Sequence, residues 1–199
     1  MKIQSAEFVT TVGLDGPLPV AHLPQIALVG RSNVGKSTLI NALANRKIAR
    51  AGGAPGTTRL LNVYRIQLAS HRGELLLIDL PGYGYANAPL AVVEKWQRLL
   101  KQYLSGRQSL RRAFVLIDAR HGVKKVDEEI LTLLDKSAVT FQAVLTKADK
   151  VKAAERDKVM AQVRKRLSAH PAAFPEIVVT SSEKGDGIET LRAIIATLI

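Results

Sequence analysis

The chain has 199 residues, of which 47% are hydrophobic and 5% aromatic, with 29 Lys and Arg against 17 Asp and Glu for a net charge of +12. That length suits one domain with a substantial core and is crowded for two. With no cysteine, no apolar segment behind Met1-Lys2-Ile3-Gln4 and no bilayer-length apolar run, disulfides, cysteine-ligated metals and membrane spans are excluded. The expectation is a cytoplasmic protein without a secretion signal.

In chain order, Thr10-Thr11-Val12 reads either as an edge strand or as a frayed terminus. Residues 1–24 form an extension to a domain starting at 25 and running to 199. Ile26–Val29 predicts a buried strand, followed by a helix over Lys36–Arg46. Leu61–Leu68 and Glu74–Leu80 read as strands joined only by Ala69-Ser70-His71-Arg72-Gly73, too short for a parallel crossover, so this pair should be an antiparallel hairpin. A helix over Leu90–Ser105 precedes a strand at Ala113–Asp118. Helix Val126–Lys136, strand Phe141–Leu145, helix Ala154–Ala169, strand Ile177–Thr180 and helix Gly187–Thr197 complete the alternation. The class is α/β: three layers, with a mostly parallel six-stranded sheet, one antiparallel edge hairpin, and helices on both faces. A ligand should sit at the carboxyl ends of the strands. Trp96 and Tyr103, seven apart, share a helical face and should pack rather than stack on bases. The four histidines show no metal spacing.

Between the first strand and first helix lies Gly30-Arg31-Ser32-Asn33-Val34-Gly35-Lys36-Ser37-Thr38, a G-x-x-x-x-G-K-[ST] phosphate loop. Its glycines let backbone N–H groups converge where the helix N-terminus adds its dipole. Lys36 would reach the β- and γ-phosphates and the Ser37 hydroxyl would bind Mg²⁺. The third strand ends in Asp79-Leu80-Pro81-Gly82. There the carboxylate can hold Mg²⁺ through water and the Gly82 N–H can meet the γ-phosphate. Thr146-Lys147-Ala148-Asp149 closes another strand. The Asp149 carboxylate matches the adjacent N1–H and amine of guanine, whereas adenine offers an acceptor there. The Lys147 stem can cover the base, and Thr180-Ser181-Ser182 offers N–H groups and hydroxyls to the guanine carbonyl. Between these motifs runs a glycine-rich loop from Gly52 through Gly56-Thr57-Thr58-Arg59 to Leu60. A threonine there can add its hydroxyl to Mg²⁺ and its N–H to the γ-phosphate, ordering the loop only with triphosphate bound. On chemistry alone Thr57 and Thr58 both qualify.

Together these motifs, and Asp79-Leu80-Pro81-Gly82-Tyr83-Gly84-Tyr85-Ala86 above all, resemble the EngB family. Its members are small single-domain bacterial GTPases grouped with Era, EngA and TrmE. The resemblance spans essentially the whole chain. It implies a Ras-like G domain, Mg²⁺-dependent binding of GTP and GDP, a role in maturing the large ribosomal subunit, and a requirement for normal cell division and septation. It selects Thr58 as the switch threonine beside Ser37 on Mg²⁺, and makes Lys36, Thr58 and Gly82 the groups that act on the γ-phosphate. Many Ras-like GTPases carry glutamine directly after D-x-x-G to orient the attacking water. Here that position is Tyr83, so slow intrinsic hydrolysis is expected. Asn33 matches a loop asparagine that in related GTPases helps hold K⁺.

The charge points to a partner beyond the nucleotide. No acidic residue occurs from Gly16 to Gly73, while that stretch carries eight Lys and Arg. Further basic zones run through Lys95, Arg98, Lys101, Arg107, Arg111 and Arg112, and through Lys152, Arg156, Lys158, Arg164, Lys165 and Arg166. Clustered cations of this kind fit RNA phosphates, here ribosomal RNA, without DNA specificity. The leading expectation is a monomeric GTP-controlled ribosome assembly factor. The alternative is a septum-associated signalling GTPase with protein or membrane partners. A small-molecule kinase would leave Thr146–Asp149 unexplained.

Overall fold

The computed structural model describes residues 3–13, 16, 22–50, 60–69, 73–84 and 90–199. Seven strands and five helices follow in the order β1 (Ile3–Val12), β2 (Gln25–Gly30), α1 (Lys36–Ala44), β3 (Leu61–Leu68), β4 (Glu74–Asp79), α2 (Leu90–Leu104), β5 (Leu110–Asp118), α3 (Lys125–Lys136), β6 (Phe141–Thr146), α4 (Ala153–Leu167), β7 (Val178–Val179) and α5 (Ile188–Ala196). They form one sheet ordered β1-β3-β4-β2-β5-β6-β7. The β2–β4, β2–β5, β5–β6 and β6–β7 pairs are parallel, and β3 is antiparallel to both of its neighbours.

Two features correct the sequence-based expectation. The sheet has seven strands rather than six, because Ile3–Val12 pairs along β3 as an edge strand. The β3–β4 hairpin therefore lies inside the edge. β1 reads weakly in sequence because it touches the core at few points. Ala6 and Val12 are buried, Phe8 meets Tyr64 edge-on at 5.8 Å, and register shifts interrupt the pairing between Ile3 and Ser5 and between Phe8 and Thr10. Helix α1 stops at Ala44, two residues early, because Asn45 adopts the left-handed conformation of a C-cap (φ 53°).

The sheet is packed on both faces. Every residue of β2 is buried, so its side chains alternate between two cores. Ile26 and Leu28 join Leu39, Ile40 and Leu43 of α1 and Ile188, Leu191 and Ile195 of α5. Ala27 and Val29 face the layer of α2 (Leu100, Tyr103, Leu104), α3 (Ile130, Leu131, Leu134) and α4 (Val163, Leu167). Each fully buried aliphatic side chain contributes about 1.5–3 kcal/mol, so the two layers hold the sheet rigidly under its carboxyl edge. Trp96 and Tyr103 do pack: Tyr103 is fully buried and its hydroxyl donates to Gln25 Oε1 at 2.9 Å, while Trp96 lies against the same core. Burial pushes the Tyr103 phenol above its ordinary pKa of 10.

The C-terminus of α1 is closed from another element. Arg192 of α5 donates from Nε to Leu43 O at 3.0 Å and from Nη2 to Ala42 O at 2.9 Å, and pairs with Glu189. The cation thereby satisfies the Leu43 carbonyl, adds a second donor to the Ala42 carbonyl that already takes the Asn45 N–H, and faces the negative end of the helix dipole. Arg192→Met, which keeps the stem and removes the donors, should lower stability by about 1.5–3 kcal/mol, read as a lower urea midpoint at unchanged m-value.

Candidate nucleotide-binding site

The phosphate loop leaves the sheet where β2 ends between β4 and β5. Gly35 is the N-cap of α1 with φ 103° and makes no side-chain cap, so the first-turn N–H groups of Lys36, Ser37 and Thr38 open toward the loop centre. A left-handed turn at Asn33 (φ 60°) helps to curl the loop. Beside it, Arg31 and Tyr83 form a parallel bridge, with Ser32 N–H donating to Tyr83 O at 2.9 Å and Tyr83 N–H to Gly30 O at 3.4 Å. The D-x-x-G segment is thus zipped onto the phosphate loop. This approach favours glycine at 82, since a Cβ there would lie tightly, 3.2 Å from Ser32 Cα and Ser32 N. Lys36 Nζ donates to Asp79 Oδ1 at 2.5 Å, both groups being buried. The pair places the cation and the carboxylate at the mouth of the loop, where phosphate oxygens and a divalent cation would contend for them.

Tyr83, at the position where glutamine would orient water, turns away. Its hydroxyl donates to Asp127 Oδ1 of α3 at 2.7 Å, and its ring lies 5.5 Å from that of Trp96. Trp96 Nε1 in turn donates to Pro81 O at 2.9 Å. Asp127 is 1% exposed, accepts the Lys124 N–H at 2.7 Å, and lies 3.4 Å from Arg31 Nε. Burial, reinforced by the Asp127 charge and hydrogen bond, raises the Tyr83 pKa well above 10. The Arg31 guanidinium thus leans toward α3 by charge, although its Nε and Nη2 make no hydrogen bond among the described residues.

The base-recognition side is stitched to the same loop. Thr146 Oγ1 donates to Val34 O at 2.7 Å. Lys147, left-handed at φ 57°, sends Nζ to Asn33 O at 2.5 Å and lies 3.1 Å from Asp118 Oδ2. Asp149 Oδ1 accepts from Ser181 Oγ at 2.7 Å, a bond that, with Lys150 nearby, holds its carboxyl below the usual range. Ala148 is buried and donates its N–H to Thr180 O at 3.1 Å.

One expectation changes here. The hydroxyls and N–H groups of Thr180 and Ser181 are committed within the protein: Thr180 Oγ1 and N to Leu145 O at 2.9 and 2.7 Å, Ser181 Oγ to Asp149, and Ser181 N to Asp186 O at 2.9 Å. Both residues are fully buried. They orient the loop and Asp149, with Ser182 half-buried beside them. Leu80 is likewise structural, fully buried with its N–H on Leu28 O at 3.1 Å, and Thr38 is exposed on α1. Gly56, Thr57, Thr58 and Arg59 lie outside the described residues, as do Tyr85 and Ala86; Leu60 is 40% exposed.

Asp118 and Asp127 are the functional-site residues that motif reading passed over. Asp118 ends β5 as Asp79 ends β4, so a carboxylate at a central strand's carboxyl end was its available signal. Burial pushes its carboxyl up, but hydrogen bonds from the Arg120 side chain and backbone and from Lys147 outweigh this and hold it well below the usual range. For Mg²⁺, Ser37 and Asp79 supply hard oxygen donors from two adjoining segments, a partial set of the kind that Mg²⁺ completes with phosphates and water. Among the described residues no cluster of three or more His, Cys, Asp or Glu could hold a metal without a ligand's help.

Family models match the chain twice: the 50S ribosome-binding GTPase family over residues 25–147 and the elongation factor Tu GTP-binding domain over residues 100–199. A probable GTP-binding protein EngB of Ruegeria pomeroyi is 68% identical, the match covering 97% of this chain and 87% of that protein. The crystal structure of a probable GTP-binding protein engB superposes with a TM-score of 0.64 at 26% identity, covering 86% of this chain and 97% of that one. Era in complex with MgGDPNP and nucleotides 1506–1542 of 16S ribosomal RNA gives a TM-score of 0.70 at 27% identity over 88% of this chain and 56% of Era. Carrying a Ras-like P-loop fold and these matches over nearly its full length, the chain belongs to the EngB family of GTP-binding proteins, which are GTPases.

Proposed function

We propose that this GTPase is a Mg²⁺-dependent, slowly hydrolysing switch that acts on the large ribosomal subunit during its assembly, its effect on division and septation following from that role. The observation that carries the reading is the zipping of D-x-x-G onto the phosphate loop through Ser32 and Tyr83. It couples the segment that would sense the γ-phosphate directly to the one that would hold the nucleotide. Lys36, the loop amides of Gly30 through Thr38, and the Gly82 N–H would bind the phosphates. Asp149 with Ser182 would read guanine beneath the Lys147 stem. Ser37 and Thr58, with Asp79 through water, would hold Mg²⁺, which neutralises phosphate charge when bound. Thr58, with Gly56, Thr57, Arg59 and Leu60 around it, would order only against a triphosphate.

A ribosomal partner is supported by charge and kinship. Helices α2 and α4 share one face of the sheet and expose Lys95, Arg98, Lys101, Lys152, Lys158, Arg164, Lys165 and Arg166. The matching family is described as 50S ribosome-binding, and the related Era holds ribosomal RNA. Such contacts run through phosphates and weaken with salt.

Three outcomes follow. Sedimentation with ribosomal subunits and with anionic vesicles, compared across GDP, a non-hydrolysable GTP analogue and no nucleotide, should pellet the protein with the large subunit only in the analogue state. Equal binding in all states, or pelleting with vesicles instead, would favour a division-signalling role. With Tyr83 locked to Asp127, the isolated protein should turn over GTP at well below about 1 per second, and exchanging K⁺ for Na⁺ should lower the rate if Asn33 helps hold K⁺; turnover in the tens per second would rule out the slow switch. Asp149→Asn should weaken GDP by about 100-fold or more while improving xanthosine diphosphate, measured by competition binding, because the amide presents a donor where guanine also donates.

A further inference from the structure

The phosphate loop carries a hydroxyl with no work inside the protein. Ser32 Oγ is buried and makes no hydrogen bond among the described residues, although the serine's own N–H is tied to Tyr83 O. Buried hydroxyls are nearly always paired, and one that is not points to a partner missing from the structure. A Cβ built on Gly82 would stand 3.0 Å from Ser32 Oγ, so the hydroxyl lies where the phosphate loop meets the glycine of D-x-x-G. Of the polar side chains nearby, Lys36 is engaged with Asp79 and Tyr83 with Asp127, while Arg31 is held by its charge beside Asp127, its Nε and Nη2 making no hydrogen bond among the described residues.

We infer that the Ser32 hydroxyl is a triphosphate-specific contact, donating to a γ-phosphate oxygen of bound GTP and through it steadying the terminal phosphate for hydrolysis. The inference rests on the GTP-switch reading and deepens it. GDP has no atom at that position, so the hydroxyl stays unpaired in the diphosphate state and is satisfied in the triphosphate state. That difference is a discrimination device, since a polar site pays its desolvation only against the ligand that lacks the matching group. It also supplies, from the loop itself, a side-chain donor near the phosphate in a chain whose glutamine position is occupied by a retracted tyrosine. Glycine or alanine at this position would leave the loop without that donor.

Ser32→Ala tests this, since it removes one oxygen and leaves the loop backbone its course. Affinities for GDP and for a non-hydrolysable GTP analogue are measured by calorimetry, with single-turnover hydrolysis alongside. The variant should hold GDP within about twofold of the parent, bind the analogue about tenfold more weakly, and hydrolyse GTP about tenfold more slowly. An unchanged ratio of analogue to GDP affinity, or equal losses for both nucleotides, would overturn the inference. If Ser32→Ala lost its thermal transition, Ser32→Cys, a weaker donor of similar shape, should show the same selective loss of the analogue. Failure of the parent protein to bind either guanine nucleotide would instead sink the GTP-switch reading itself.

Discussion

β2 is buried along its whole length, with a parallel neighbour on each side and a helical layer over each face. Its carboxyl end is therefore the one place in the chain whose position is set from four directions. Everything at the candidate site is measured from there. The phosphate loop springs from Gly30 and the D-x-x-G segment is bonded back to Gly30 and Ser32. Thr146 and Lys147 reach across to the carbonyls of Val34 and Asn33. Three segments far apart in sequence thereby share one reference point, and the geometry a nucleotide would meet is prepared by core packing before any ligand arrives.

Electrostatics at the carboxyl edge follow from the same placement. Asp79, Asp118 and Asp149 stand at or just beyond the ends of β4, β5 and β6, and each has a lysine partner: Lys36, Lys147 and Lys150. Their roles diverge because their surroundings do. Asp118 is held by Arg120 as well as Lys147 and serves to fix the lysine stem against the phosphate loop. Asp149 takes a hydroxyl from Ser181 on one oxygen and faces Lys150 Nζ at 3.2 Å with the other. Asp79 alone is matched one-to-one with the phosphate-loop lysine, so an anionic ligand that draws Lys36 away frees a carboxylate for a cation. Burial, reinforced by the Asp79 charge, pushes the neighbouring Tyr64 phenol up to about 12.

Much of this was legible in the chain because the phosphate loop, D-x-x-G and T-K-x-D encode backbone turns and donor types that act locally. Strand and helix positions followed from hydrophobic period, with β2 and β6 readable as continuous apolar runs buried on both faces. What was not legible depends on contacts over long separations. β1 has only Ala6 and Val12 buried, so its strand character comes from pairing with β3 rather than from its own pattern. The commitment of Thr180 and Ser181 to internal bonds needs β6 beside β7 to be seen, and the same is true of Asp118 beside Lys147. Asp127 reads in sequence as an ordinary acidic residue in the first turn of α3; only its approach to Tyr83, 44 positions away, gives it a function.

That approach divides the site into parts of different character. The phosphate loop and base loop are braced by hydrogen bonds between main chain and side chain, with little freedom to respond to a ligand. The segment from Pro81 to Gly84 is bonded to the phosphate loop through the Tyr83 main chain and is also held by side chains of two helices, Trp96 of α2 and Asp127 of α3. A pull on Gly82 by a third phosphate would be felt at both contacts. Because α2 also carries one of the exposed basic rows, the phosphate state has a short mechanical route to the surface proposed to meet RNA. In that arrangement Tyr83 gives up the water-orienting chemistry of glutamine and gains a rigid link from nucleotide to helix. On the proposed slow-switch reading, a partner that engages α2 or α3 would act on the nucleotide segment through this same link.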